Sequence, residues 1–117
     1  MATHNKFGSD GESLAAAWLE AKGFEILHRN WRHAHYEIDI IALKNKMLHF
    51  IEVKCRNHSI GFPEDSVTKK KFRNIQKAAN EYLFMNPGNN WIQYDIVSIT
   101  FYKDRDPEYF MLEDVFL

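Results

Sequence analysis

At 117 residues, 45% hydrophobic and 15% aromatic, the chain is long enough to bury a core as one domain without disulfides, and its single Cys55 cannot form a disulfide within it. No run is apolar for the length a membrane helix needs, and the polar opening Met-Ala-Thr-His-Asn-Lys does not read as a signal peptide, so a cytoplasmic protein is expected. A formal net charge of −1 argues against a generally basic nucleic-acid coat but allows one basic face, because cations cluster at Arg29 to Arg32 and Lys69 to Lys77 while acids collect from Asp104 to Asp114.

In chain order, residues 1 to about 8 carry no periodic apolar pattern and read as a flexible tail. From Gly11 to Lys22 the residues Leu14, Ala15, Trp18 and Leu19 recur at helical spacing, and Gly23 is a natural stop. Ser9 and Glu12 have the spacing of a capping box. Glu12 also flanks the stripe of Ala15 and Leu19, so it points toward whatever this helix packs on. Phe24 to Arg29 reads as a strand, followed by the polar step Asn30-Trp31-Arg32. His28, His33 and His35 match no zinc spacing and have no cysteines beside them, so they are read as structural or surface residues.

The stretch from His35 to Arg56 carries the chemistry. Glu37 and Asp39, then Glu52 and Lys54, interrupt two aliphatic runs, Ile38 to Leu43 and Leu48 to Val53. Lys44-Asn45-Lys46 is the polar break between the runs, and a two-residue turn at Asn45-Lys46 or a four-residue loop about the same centre gives one register. That register sets Asp39 opposite Glu52 and Glu37 opposite Lys54, with all four side chains on one face. Like charges whose β-carbons lie about 4.5–5.5 Å apart repel. Such a pair calls for a hard divalent cation, and Lys54 adds a fixed positive charge. A purely structural salt-bridge cluster leaves the acid-on-acid pairing unexplained. A glycosidase pair does not call for an adjacent lysine, whereas phosphodiester chemistry does, because negative charge develops on the phosphate.

Asn57 to Asp65, with Gly61 and Pro63, reads as a loop beside this site. A second helix is expected from about Ser66 or Thr68 to about Met85, buried along Phe72, Ile75, Ala79, Tyr82 and Leu83. Its first turn holds Lys69, Lys70, Lys71 and Arg73, which oppose the helix dipole unless an anion binds. Trp91 to Phe101 reads as a strand, and Asp95 within it as a sheet-edge residue or the mate of a basic group outside the catalytic set. Tyr109 to Leu117 reads as a last short strand.

The ordered set Glu12, Glu37-Ile38-Asp39 and Glu52-Val53-Lys54 resembles the PD-(D/E)xK nuclease superfamily. Within it, the chain resembles the small bacterial YraN-like (UPF0102) proteins, related to the archaeal Holliday junction resolvases. The likeness runs through Gly8-Ser9-Asp10-Gly11-Glu12, Arg29-Asn30-Trp31-Arg32, Glu37 to Ala42, Phe50 to Lys54, Lys71, Ala78-Ala79 with Tyr82-Leu83, and Tyr94 to Val97. Two positions depart: Tyr36 stands where the family has glycine, and no proline precedes Asp39. The resemblance implies a single restriction-endonuclease-like α/β domain over residues 1–117, a mixed central sheet flanked by helices. It implies Mg²⁺ or Mn²⁺ on Asp39, Glu52 and the Val53 carbonyl, with Glu12 holding a second metal or its water and Glu37 as an auxiliary. Lys54 would position the attacking water or stabilise the transition state. Lys69, Lys70, Lys71 and Arg73, with Arg29 and Arg32, would contact phosphate. The implied activity is a metal-dependent endonuclease acting on DNA, branched or duplex, as a homodimer. A binding module without catalysis and a structure-specific RNA nuclease are the alternatives.

Overall fold

Seven elements follow one another as α1 (Thr3–Ala21), β1 (Glu25–His33), β2 (Tyr36–Lys44), β3 (Met47–Asn57), α2 (Lys69–Met85), β4 (Ile92–Phe101) and β5 (Glu108–Leu112). They are seen in a computed structural model that describes residues 3–58, 68–88 and 91–115, with backbone alone for residues 3–10. Most of the expected loop from Asn57 to Asp65 lies outside the described residues, and Asn57 itself ends β3.

α1 opens at Thr3, so the expected tail is helical from that residue onward. Once the Ala15 to Leu19 segment is packed, each further turn extends an existing helix and needs no new nucleus. Ser9 therefore lies inside the helix and cannot cap it, which removes the capping reading of Glu12. At the other end the amides of Lys22, Gly23 and Phe24 donate to the Leu19 and Glu20 carbonyls at 3.0 Å. Gly23 adopts φ +97°, the left-handed stop that glycine takes without strain. α2 starts where Thr68 Oγ1 accepts the Lys71 amide at 3.1 Å.

The sheet order is β1-β2-β3-β4-β5, antiparallel except for the parallel β3–β4 pair, between which α2 makes the crossover. α1 packs Ala15, Ala16 and Leu19 on Ile40, Ala42, Ile51, Val97 and Ile99. α2 packs Ile75, Ala78, Ala79 and Tyr82 on Ile38, Ile41, Leu48 and Phe50. The two helices thus cover opposite faces of a mixed sheet, the expected architecture. Asp95 is not at a sheet edge: β4 lies between β3 and β5, and the carboxylate is buried against His49.

Asn45 and Lys46 have φ of 52° and 65°, so they form the two-residue turn that suits the right-handed twist of its strands. The register follows as expected, from Lys44↔Met47 to Ile40↔Ile51, where the ladder ends. At the next step the alternation breaks on both neighbouring strands. In β2, Ile38 joins Ile41 in the α2 cluster although Ile40, two residues from Ile38, packs under α1. In β1, Arg29 reaches Ser13 of α1, whereas Trp31, two residues on, packs on the α2 side. Asn30, between them, has φ 56°. The faces of both strands therefore exchange at Asn30 and Asp39.

Candidate metal centre

Past Ile40↔Ile51 the central strands part, and the acids gather there. Asp39 Oδ2 accepts a hydrogen bond from the Val53 amide at 2.8 Å, so a side chain takes the place of the next ladder carbonyl. Val53, expected at the site through its carbonyl, thus also contributes its N–H there.

The exchange of faces decides where Glu37 goes. It sits toward α1, paired across β1 with Arg32 at 3.6 Å, and not opposite Lys54 as the hairpin register alone implied. β2 has a neighbour on each side, and beyond Ile40 only β1 remains in register. Glu12 comes down from α1 to the same point. Glu12, Glu37 and Asp39 each present a carboxylate oxygen, all within 4.8 Å of one another. The four expected acids come together, but as a cluster reached from both faces of the sheet and not as a row on one face.

Their electrostatics follow from that crowding. Burial raises the Asp39 carboxyl from its ordinary 3.8 to about 8, with the charge of Glu52 next and those of Glu12 and Glu37 smaller, while the Val53 amide pulls the other way. Glu12 is also raised, first by burial and then by Glu37, with Arg29 and Arg32 opposing. Two guanidinium groups of the edge strand therefore act on the acids directly.

Glu52 is buried and takes a cation from an unexpected direction. Lys71 Nζ lies 2.5 Å from Glu52 Oε2. Burial disfavours the Lys71 ammonium, yet its hydrogen bond to Glu52 and that carboxylate's charge outweigh burial and raise its affinity for its proton. Lys71 was expected to touch phosphate at the start of α2; the crossover from β3 brings it back over the middle of the same strand. Lys54 acts on the Lys71 ammonium and so lies beside it, which puts both lysines next to Glu52. Lys69, Lys70 and Arg73 are exposed on the first turns of α2, and Arg29 and Arg32 are exposed on β1.

Between these groups is a cleft of about 190 Å³, walled by Tyr36, Glu37 and Asp39, by Glu52, and by Lys71 and Asn74. Tyr36, the departure from the family pattern, forms part of the wall, with Lys77 Nζ 5.7 Å from its ring centroid. Asn74 was not anticipated; its position one helical turn after Lys71 was the available signal. Of the three histidines set aside as ligands, His28 packs edge-on against Tyr82, His33 meets Glu81 at 3.5 Å, and His35 lies against Tyr36. The donor set is all-oxygen, the set that hard divalent cations prefer, and Glu12, Glu37 and Asp39 fit such an ion.

An α-β-β-β-α-β core with acids where its two central strands part defines a restriction-endonuclease-like domain. Residues 11–99 match the family described as "Uncharacterised protein family UPF0102", and the chain belongs to that family. The matched span includes every acid and lysine of the centre. A UPF0102 protein of Flavobacterium psychrophilum is 42% identical over 106 residues, covering 90% of this chain and 87% of its own. One from Clostridium perfringens is 41% identical over 120 residues, covering 99% and 98%. One from Phocaeicola vulgatus is 44% identical over 100 residues, covering 85% and 83%.

Proposed function

We propose that the chain is a divalent-metal-dependent endonuclease that hydrolyses phosphodiester bonds in DNA, with branched or otherwise structured DNA as its substrate. The observation that carries this reading is the convergence of Glu12, Glu37 and Asp39 oxygens within 4.8 Å, next to a Glu52 already neutralised by Lys71. Acids so placed repel one another, and a divalent cation held among them would offset that repulsion. Glu12, Glu37 and Asp39 would hold Mg²⁺ or Mn²⁺, with Glu52 joining when Lys71 turns to the substrate. Bound there, the ion would supply positive charge to the phosphate and favour ionisation of water at neutral pH.

The remaining roles belong to the protein's own groups. Lys54 and Lys71 set two basic side chains beside the centre, where negative charge grows on the phosphate during displacement. Lys69, Lys70 and Arg73, on the first turns of α2 with Lys71, and Arg29 and Arg32, which act on Glu12, would meet the backbone of a strand laid across the centre. A near-neutral protein thereby concentrates its cations where a polyanion would dock.

The test is cleavage of four-way junction, flap, duplex and single-stranded DNA, and of RNA, in Mg²⁺, Mn²⁺ or EDTA, alongside Asp39→Asn and Lys54→Ala. Junction or flap cutting in Mg²⁺ or Mn²⁺ that both variants lose is the expected result. Cleavage that persists in EDTA or in Asp39→Asn refutes the metal reading. Tight binding of branched DNA with no cutting under any metal makes the chain a binding module, and preference for RNA changes the substrate class.

A further inference from the structure

At the opposite end of the β2–β3 hairpin, on the α1 face, a cleft of about 310 Å³ opens beyond the last turn of α1. Lys44, on its wall, is five residues along β2 from Asp39, about 17 Å of strand, so this cleft is separate from the acidic centre. His49 forms part of its lining and is only 5% exposed. Its Nδ1 lies 2.6 Å from Asp95 Oδ2, and the Asp95 side chain is wholly buried. The other Asp95 oxygen accepts Gln93 Nε2 at 2.9 Å and the Asp114 amide at 3.0 Å.

That carboxylate accepts the Nδ1 hydrogen, which leaves Nε2 as the ring atom with capacity to spare. Among the described residues Nε2 has no hydrogen-bond partner, and it is not among atoms sealed from solvent without one. The ring lines the cleft and stands edge to face against Phe24 with centroids 5.0 Å apart, so Nε2 is the ring nitrogen left for a ligand there. A purely structural histidine has no need of an open polar atom in a cleft.

The cations around the cleft point to the kind of ligand. Among the described residues neither Lys22 nor Lys44 has a carboxylate partner. Each is held over an aromatic ring, Lys22 Nζ 4.6 Å from the Trp18 centroid and Lys44 Nζ 4.7 Å from the Phe24 centroid. Glu113 is the acid among the described lining residues, so two ammonium groups face one carboxylate. Ammonium groups repel a metal ion and attract an anion. The volume holds more than a bare ion, and Phe24 with Met47 offers apolar wall beside the charges.

We propose that this cleft binds a phosphate-bearing ligand, either a mononucleotide or the phosphorylated end of a nucleic-acid strand. Lys22 and Lys44 supply the charge and His49 Nε2 the directed hydrogen bond. The ring serves in either protonation state: neutral Nε2 accepts from a P–OH, and protonated Nε2 donates to a phosphate oxygen.

The experiment uses the full chain, labelled with ¹⁵N, in EDTA, so that neither metal binding nor cleavage enters the outcome. Long-range proton–nitrogen spectra follow the His49 ring, identified by its Nδ1 hydrogen held to Asp95. The probes are inorganic phosphate, adenosine monophosphate, a short 5′-phosphorylated DNA strand and its unphosphorylated twin, each to about 10 mM, enough to saturate a dissociation constant near 1 mM. A saturable His49 Nε2 shift is expected with phosphorylated probes, weakened about ten-fold or more in the surface variant Lys22→Ala/Lys44→Ala. Saturation with the mononucleotide assigns the free-ligand source; saturation with the phosphorylated strand alone assigns the strand end. The proposal is overturned if no phosphorylated probe gives a saturable shift, if the double variant responds as wild type does, or if the unphosphorylated strand responds equally.

Discussion

Replacing Asp39 by asparagine removes one charge from the crowded acids and keeps an oxygen to accept the Val53 amide. In the folded chain the Asp39 carboxyl is raised from 3.8 to about 8, first by burial and then by Glu52. The folded state therefore holds a proton that the unfolded state has released between about pH 4 and pH 8, and stability falls as pH rises through that window. A displacement of this size corresponds to about 6 kcal/mol of preference for the neutral form. Solvent reaching the partly exposed carboxyl reduces the expected effect to about 1–3 kcal/mol at pH 8. Urea unfolding in EDTA between pH 4.5 and 8.5 measures it. Asp39→Asn should match wild type at the acid end and become more stable than it by about 1–3 kcal/mol at the alkaline end. Mg²⁺ should then raise the midpoint of wild type and leave the variant unmoved. If Asp39→Asn is less stable than wild type at pH 8 without metal, or if their difference does not vary with pH, the electrostatic account of the centre is wrong.

Lys71→Met leaves the buried Glu52 without its cation and, since Lys71 is about half exposed, should cost about 1 kcal/mol in EDTA, with Mn²⁺ recovering much of the loss in a thermal unfolding series. A Cβ on Gly11 would overlap the Cys55 sulfur, so Gly11→Ala should cost about 1–3 kcal/mol, and a double-mutant cycle with Cys55→Ala should show the two changes to be coupled. Tyr82 lies edge-on to His28, Trp31 and Phe50 under α2, and Tyr82→Ala should cost about 3–5 kcal/mol by denaturant titration. In filter binding to a four-way junction, Lys69→Ala/Lys70→Ala should flatten the dependence of affinity on salt concentration by about two counterions, with no change in unfolding midpoint.

Much of this molecule is legible in its residues because the strongest signals are local. The turn at Asn45-Lys46 fixes the β2–β3 register without any tertiary knowledge, and the stripe from Phe72 to Tyr82 gives α2 nearly to the residue. What local pattern misses is set by the third neighbour. Glu37 belongs to Arg32 and Glu12, not to Lys54, because β1 and α1 also meet β2 and the strand faces exchange at Asp39. Nothing in the hairpin announces that exchange; the left-handed Asn30 lies on another strand. Lys71 is visible as a cation at a helix start, but its partner Glu52 depends on the path of the crossover. His49 and Asp95 come from strands paired in parallel across that crossover, and each by itself is only a polar residue in an apolar run.

The two-residue turn between β2 and β3 also sets where this protein tolerates added sequence. Surface connections ordinarily accept insertions. At Asn45-Lys46 a single added residue changes the parity of everything that follows in β3. Glu52 would be carried beneath α1 and Ile51 out to face Lys71, and the acidic cluster would be dismantled from its far end. The arrangement of the acids is in this sense specified some distance away, by two turn residues that touch none of them.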